Sequence, residues 1–438
     1  SLKWIKVQII INPPFVGYSL QSKAQKDDIL SIYVDEKGKP YKTAGKIDYV
    51  SAWYFKAAQL MVGTNIRTAF VSTNSITQGE QVAGVWKPLY DRFGIHIDFA
   101  HRTFRWDSEA SLKAHVHCVI VGFSAAENTA DRRLFDNGIE KAVKNINAYL
   151  VEAIDVFVES QSKPICDVPK MSSGGKPVEG GHLIFTSEEK VEFLKKEPKA
   201  ERYFRPFVGS DDYINDHPRW CLWLLNCPPN DLRSMPLVRE RVEAVRQFRM
   251  ESVKEATRKY ADYPTRFMEI KQPDTDYILV PATSSENRRY IPMGYVDKNV
   301  IASNAASFVP NASIYHFGVL TSNVHMAWMR AVAGRLEMRY RYSVNIVYNN
   351  FPWCSPTEEQ KAKIEKTAQM ILDARAMYPD CSLADLYDEA VMPPELRKAH
   401  QLNDRAVMEA YGFWGKLNSE SECVAELMGM YREITEGK

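Results

Sequence analysis

Asn12, Pro13, Pro14 and Phe15 close a run of β-branched residues, Ile9 to Ile11. The run predicts a buried strand. It must stop abruptly, because Pro13 and Pro14 lack an N–H and hold φ fixed. An amide side chain, a free carbonyl and an aromatic ring are then held at the carboxyl end of a strand, where ligands sit in open α/β sheets. The group suits a planar substrate with an exocyclic NH2. Asn12 Oδ1 and the Pro13 carbonyl can accept its two hydrogens, and Phe15 can stack on its ring. The plainer alternative is a strand-ending Pro-Pro turn with a core Phe.

The tetrapeptide resembles the Asn-Pro-Pro-aromatic motif of amino-methyltransferases that use S-adenosylmethionine. The resemblance implies methylation of adenine N6 or, less often, cytosine N4. A nucleobase NH2 is a poor nucleophile, since its lone pair is delocalised into the ring. Two accepted hydrogen bonds localise that pair and aim it at the methyl sulfonium. The work is positioning and electrostatics more than strong-base catalysis.

Residues 1–125 read as alternating strands and helices. Asp48 to Ala58 is a buried helix, and Ile66 to Ser72 a strand followed by Thr73-Asn74-Ser75. Ile95 to His101 and His115 to Phe123 read as an antiparallel hairpin. This order resembles the second half of a class I methyltransferase domain. Ile9 to Ile11 would be its fourth strand, central in the sheet, and the hairpin its sixth and seventh. In that family an aromatic residue of the hairpin loop lies against the flipped base. Phe104 and Trp106 occupy that place, and Phe104 is preferred. Base–aromatic stacking of about 1–3 kcal/mol matches the unstacking cost of base extrusion.

Beyond residue 125, residues 126–200 read as connecting structure and 201–353 as a separate mixed domain. There Arg219 to Leu225, Tyr277 to Val280, Arg289 to Val296, Val300 to Val309, Ile314 to Leu320 and Arg341 to Asn349 read as strands. Leu237 to Tyr260 reads as one long amphipathic helix. Ser355-Pro356-Thr357-Glu358 opens a helical segment, 354–438, with a capping box.

The chain has 438 residues, 45% hydrophobic and 25% charged, with a net charge of +1. That length allows two or three domains, and the balance gives no global basic signal, so a nucleic-acid surface must be a local patch. Seven irregularly spaced cysteines suggest a reduced, cytoplasmic setting. The apolar start is too short to cross a bilayer. His115 and His117 share one strand face while Cys118 takes the other, so no metal site is expected. Ser72-Thr73-Asn74-Ser75 shows no Ser-His-Asp logic.

Further phrases add up: Arg219 to Leu224, Ile270 to Pro273, Arg289 to Pro292, Phe317 to Ser322, and Tyr342 to Trp353. With residues 12–15 they resemble the MmeI-like family of single-chain restriction–modification enzymes. The resemblance implies an α/β fold built from the C-terminal half of a class I (Rossmann-like) methyltransferase domain. An α+β target recognition domain over 201–353 and a helical C-terminal segment would follow, and double-stranded DNA would be the partner. Arginines interleaved with aromatics, Arg288 and Arg289 and then Arg339 and Arg341, are the candidates for DNA contact. The family's glycine-rich cofactor turn and acidic partner are not found here, and neither is a nuclease motif. The chain is therefore expected to be a C-terminal portion that does not hold S-adenosylmethionine by itself. Its truncated sheet is expected to favour self-association. A non-catalytic DNA-specificity module and a protein-glutamine methyltransferase are the alternatives.

Overall fold

The computed structural model describes residues 8–107, 115–127 and 130–437. The chain divides into two compact units. One holds residues 1–166, 327–353 and 415–438, and the other holds 167–326 and 354–414.

In the first unit the elements run β1 (Gln8–Ile11), α1 (Lys23–Ile32), α2 (Ser51–Met61), β2 (Arg67–Thr73), α3 (Gly79–Phe93), β3 (His96–Asp107), β4 (His115–Ser124), β5 (Arg132–Asp136) and β6 (Ile139–Val143). They form a sheet of order β1-β2-β4-β3-β5-β6. β1 and β2 are parallel, with Ile11 opposite Phe70, while β4 is antiparallel to both β2 and β3. The expected hairpin is present. Its first strand, however, continues to Asp107 past a register shift between His101 and Phe104. Phe104 and Trp106 therefore sit in the strand, and the expected loop tip lies outside the described residues.

One expectation is overturned. β1 lies at the edge of the described sheet instead of its centre, and Ile10 is 76% exposed. Only β2 pairs with it among the described residues, so its β-branched run has no second neighbour to bury it.

Aromatic packing holds the helices to the sheet. Tyr54 of α2 stacks on Phe123 of β4 at 5.1 Å and meets Phe70 of β2 and Trp86 of α3 edge-on, at 4.9 and 5.1 Å. Trp86 Nε1 donates to the Ile76 carbonyl at 2.9 Å, fixing the turn between β2 and α3. α3 ends at Gly94, whose φ of 62° suits a left-handed cap.

The second unit carries two small four-stranded sheets. One runs Ile301–Ala302, Phe204–Val208, Arg219–Leu222, Ile184–Phe185, and the other Gly294–Val296, Tyr277–Pro281, Ala306–Pro310, Ser172–Ser173. Helix Pro236–Met250 packs Val238, Val242 and Val245 into a cluster with Phe185, Phe204 and Phe207. It stops at Met250, and a short helix, Glu255–Lys259, follows, so the single long helix expected to Tyr260 is broken. Arg289 and Tyr290 lie in a bend, and the strand there covers only Gly294–Val296. The expected strand from Val300 to Val309 is split into two.

Two further strands expected from β-branched composition are helical. Ile314–Leu320 is an α-helix with a capping box between Ser313 and His316. Gly318 lets helix Glu358–Ala376 come close: an added Cβ would stand 2.6 Å from Ile364 Cγ2. Val344–Tyr348 is a turn of π-helix. Asn350 Nδ2 ties it together by donating to the Asn345 carbonyl at 2.8 Å and the Glu159 carbonyl at 3.0 Å. Tertiary contacts outweigh local propensity at both places. No described helix is long and apolar enough to cross a membrane, and the cysteines are all free.

Candidate active site

Because β1 and β2 are parallel neighbours, their carboxyl ends open side by side. Asn12 to Phe15 leave one end, and Asn74-Ser75 leave the other. Asn12 is exposed and its side chain makes no hydrogen bond among the described residues, so Oδ1 is available to a ligand. Pro13 is buried, Pro14 exposed and Phe15 half-buried. The loop beyond is pinned twice: the Val16 carbonyl accepts from Tyr49 N at 2.9 Å, and Tyr18 N donates to Asp48 Oδ1 at 2.9 Å.

The end of β2 is held from below. Tyr54 Oη and Ser72 Oγ share a hydrogen bond of 2.7 Å. Burial pushes the Tyr54 hydroxyl well above the ordinary tyrosine range, so it stays neutral. Asn74 is buried, and its Nδ2 reaches Thr103 Oγ1 of β3 at 3.5 Å. Phe104, the next residue, is half-buried, and exposed Trp106 lies 6.4 Å away, ring to ring. The structure thus connects the end of β2 to the strand bearing the proposed stacking aromatic. Sequence reading tested Ser72 to Ser75 only as a nucleophile and missed Asp48 and Asn74. The available signal was a polar run placed immediately after an apolar strand.

Two rival constellations can be followed in the described residues. Ser124 Oγ donates to Asp98 Oδ2 at 2.7 Å, with His96 Nε2 3.2 Å away. Its proton therefore points to a carboxylate and not to a base, and the residue is buried. Among the described residues no group of three His, Cys, Asp or Glu could hold a metal ion.

The candidate DNA-contacting arginines divide between the two units. In the second unit, burial lowers the pKa of half-buried Arg288, partly opposed by Asp388. Arg289 is exposed and lies 5.6 Å from the Tyr290 ring. Tyr290 is anchored in turn: its hydroxyl donates to Asp404 Oδ2 at 2.6 Å and its ring stacks on His400 at 4.1 Å.

In the first unit, Arg339 and Arg341 flank Tyr340 in the antiparallel hairpin Gly334–Leu336 and Arg339–Arg341. Arg339 pairs with Glu337 at 3.3 Å, whereas Arg341 makes no ion pair among the described residues. The hairpin approaches the start of α3 closely at Gly79. A Cβ on Gly79, whose φ is 54°, would stand 3.2 Å from Gly334 Cα. Arg335 and Arg341 then line a cavity of 330 Å³ together with Tyr18, Lys46, Asp48 and Ser75. The loop after Asn12–Phe15, the end of β2 and an arginine hairpin therefore share one concave surface.

A methyltransferase-type α/β region joined to a recognition region and a helical C-terminal segment is the class that this architecture defines. Three family models match: "MmeI, DNA-methyltransferase domain" over residues 3–136, "MmeI, target recognition domain" over 152–355, and "MmeI, C-terminal domain" over 356–437. DNA methyltransferase A of Bacillus subtilis (strain 168) is 40% identical over 431 residues, which is 98% of this chain and 48% of that protein. The solved structure of the type IIL restriction–modification enzyme MmeI in complex with DNA matches with a TM-score of 0.91 and 48% identity. That match covers 98% of this chain and 57% of that one. The three models are of one family and together span nearly the whole chain, so the chain belongs to the MmeI family, and it spans about half the length of the relatives it matches. The recognition model begins at residue 152, within the stretch read from sequence as connecting structure.

Proposed function

We propose that the chain carries the base-binding wall and the recognition region of a site-specific DNA adenine-N6 methyltransferase of a restriction–modification system. The observation that carries this reading is the exposed Asn12 amide, unbonded among the described residues, at the carboxyl end of β1 beside the end of a parallel β2. The order β1-β2-β4-β3 fits the fourth, fifth, seventh and sixth strands of a class I methyltransferase sheet. Double-stranded DNA is the proposed partner, and the similar MmeI structure is a complex with DNA.

S-adenosylmethionine would supply an electrophilic methyl group. No described parallel strand leads into a glycine-rich turn, so no residue here is assigned to its adenosyl part. The chain's own residues bind and aim the amine. Asn12 Oδ1 and the Pro13 carbonyl accept from N6 and concentrate its lone pair. Phe15 and Phe104 hold the extruded base, with Trp106 at the rim. Arg288, Arg289, Arg339 and Arg341 are proposed DNA contacts, Arg341 foremost because its guanidinium has no ion-pair partner among the described residues and lines the cavity.

The test uses the complete polypeptide, methyl-labelled cofactor and digestion of the product DNA to nucleosides. N6-methyladenine is expected. Asn12→Ala should lower turnover about 100-fold or more with little change in DNA affinity, because the lost acceptor acts mainly as N6 attacks. Phe15→Ala and Phe104→Ala should each weaken capture of the flipped base by about 1–3 kcal/mol. Normal turnover in Asn12→Ala overturns the mechanism, and N4-methylcytosine as product overturns the choice of base.

A further inference from the structure

The two loops that form the proposed site leave adjacent strand ends. Asn12 to Gly17 and Asn74-Ser75 lie outside the sheet ladder, so something else must set their separation. Asp48 spans the gap. It is 7% exposed, and each carboxylate oxygen serves a different loop. Oδ1 accepts from Tyr18 N at 2.9 Å, three residues beyond Phe15. Oδ2 accepts from Ser75 Oγ at 2.5 Å, two residues beyond β2.

The acid is itself held by helices. Its backbone N donates to Gln81 Oε1 of α3 at 3.0 Å, and its carbonyl accepts from Ser51 N, the first residue of α2, at 3.0 Å. Gln81 Nε2 closes the ring on the Lys46 carbonyl at 2.7 Å. The adjacent Tyr49 N takes the Val16 carbonyl. The loop bearing Phe15 is thus caught at residues 16 and 18 by consecutive residues of a segment fixed between two packed helices.

We propose that Asp48 is a positioning residue for methyl transfer, clasping the loop that follows Asn12–Phe15 to the chain leaving β2. The hydrogen bonds have a defined direction. An ionised carboxylate only accepts, so the single Ser75 proton goes to Asp48. Thr73 Oγ1, 2.9 Å from Ser75 Oγ, then donates to Ser75. Bonds to a charged acceptor are stronger than neutral ones, which suits a contact that must hold irregular backbone still. Asp48 touches no reacting atom. Its effect reaches the substrate through where Asn12 and Phe15 stand, and misplacement of aligned groups is costly to rate.

The inference rests on the methyl-transfer reading above. It is tested in the complete polypeptide with Asp48→Ala and Asp48→Asn. The alanine removes both acceptors. The amide keeps an oxygen for Tyr18 N and offers an NH2 to Ser75 Oγ, whose own proton can turn to Thr73. Asp48→Ala should lower kcat about tenfold or more, with DNA affinity and KM held within about twofold. Asp48→Asn should retain most of kcat. Hydrogen exchange at the Tyr18 amide should accelerate in Asp48→Ala and stay slow in Asp48→Asn.

If Asp48→Ala loses its melting transition, Ser75→Ala cuts one arm alone and should still lower kcat, by about threefold, with KM unchanged. Unchanged kcat in a folded Asp48→Ala, equal losses in both Asp48 variants, or a loss carried wholly by KM each overturns the clasp. A wild-type protein that methylates no adenine overturns the function proposed above. Tyr18 exchange then decides the clasp by itself.

Discussion

Arg249 offers the sharpest stability test, because its environment is complete and unusual. Its side chain is fully buried in the second unit, on helix Pro236–Met250. Among the described residues no carboxylate bonds to it. The guanidinium instead donates to five backbone carbonyls: Val178 at 2.9 Å, Tyr260 at 3.3 Å, Tyr263 at 2.9 Å, Pro177 at 3.1 Å and Arg266 at 2.7 Å. Segments 177–178 and 260–266, which have little regular structure, are joined through this one side chain. Burial lowers its pKa, although arginine stays charged.

Two effects compete on substitution. Removing the cation relieves its desolvation penalty, which is several kcal/mol for a buried ion. Against that, five bonds to a charged donor are lost at about 1.5–3 kcal/mol each, and each carbonyl left buried costs about 1–3 kcal/mol. The second effect wins even if water recovers half the carbonyls. Arg249→Met should destabilise the unit by about 5 kcal/mol, comparable to the whole stability of many domains. Arg249→Lys keeps the charge and at most three donors, so at least two carbonyls lose their partner, and it should cost about 3 kcal/mol. Urea unfolding followed by the fluorescence of Trp220 and Trp223, which pack against this unit's core, measures both. A loss under about 1 kcal/mol for Arg249→Met, or equal losses for Met and Lys, would refute the account of five charge-assisted bonds.

Acidification should weaken the same unit. Complete burial pushes the His325 pKa down to about 3, and burial with Arg375 and Arg289 nearby keeps His400 neutral too. The unfolded chain takes up these protons near pH 6.5 and the folded chain does not. The stability is therefore whole above that pH and is lost as pH falls below it, by about 2 kcal/mol for His325 at pH 5. Unfolding curves at pH 7 and pH 5 should show this, and His325→Gln should flatten the slope; an unchanged slope would count against it. For DNA, Arg341→Ala should relax specificity at one base pair by about 1–3 kcal/mol if it reads a base. If it meets a phosphate instead, the salt slope of binding should fall by about 0.9. Unaltered binding at every salt concentration would make the residue structural. The exposed edge of β1 should let this chain self-associate. Light scattering should show oligomers that Ile10→Lys disperses, and a monomer at high concentration would contradict it.

The local chemistry of the proposed site was legible in the sequence, because covalent constraints enforce it. Two consecutive prolines end a strand wherever they fall, so the position of Asn12 at the carboxyl end of β1 followed from residue type alone. The hairpin of β3 and β4 was readable from two β-rich runs, and a helix starting near residue 355 was readable too, although the cap that forms is Thr357 with Gln360 instead of Ser355 with Glu358. Local rules failed where the partner decides. Ile9 to Ile11 read as buried, but burial depends on a second neighbouring strand, and none is present among the described residues. Ile314–Leu320 read as a strand, yet its cap and the close approach of helix Glu358–Ala376 over Gly318 make it a helix. Asp48 and Ser75 are unremarkable letters 27 positions apart. Only the parallel pairing of β1 with β2, and α2 and α3 packed beneath them, brings one carboxylate within reach of both loops. Hydrogen bonds between distant segments have no period and no spacing rule, so the tertiary structure alone could decide which acid holds the site together.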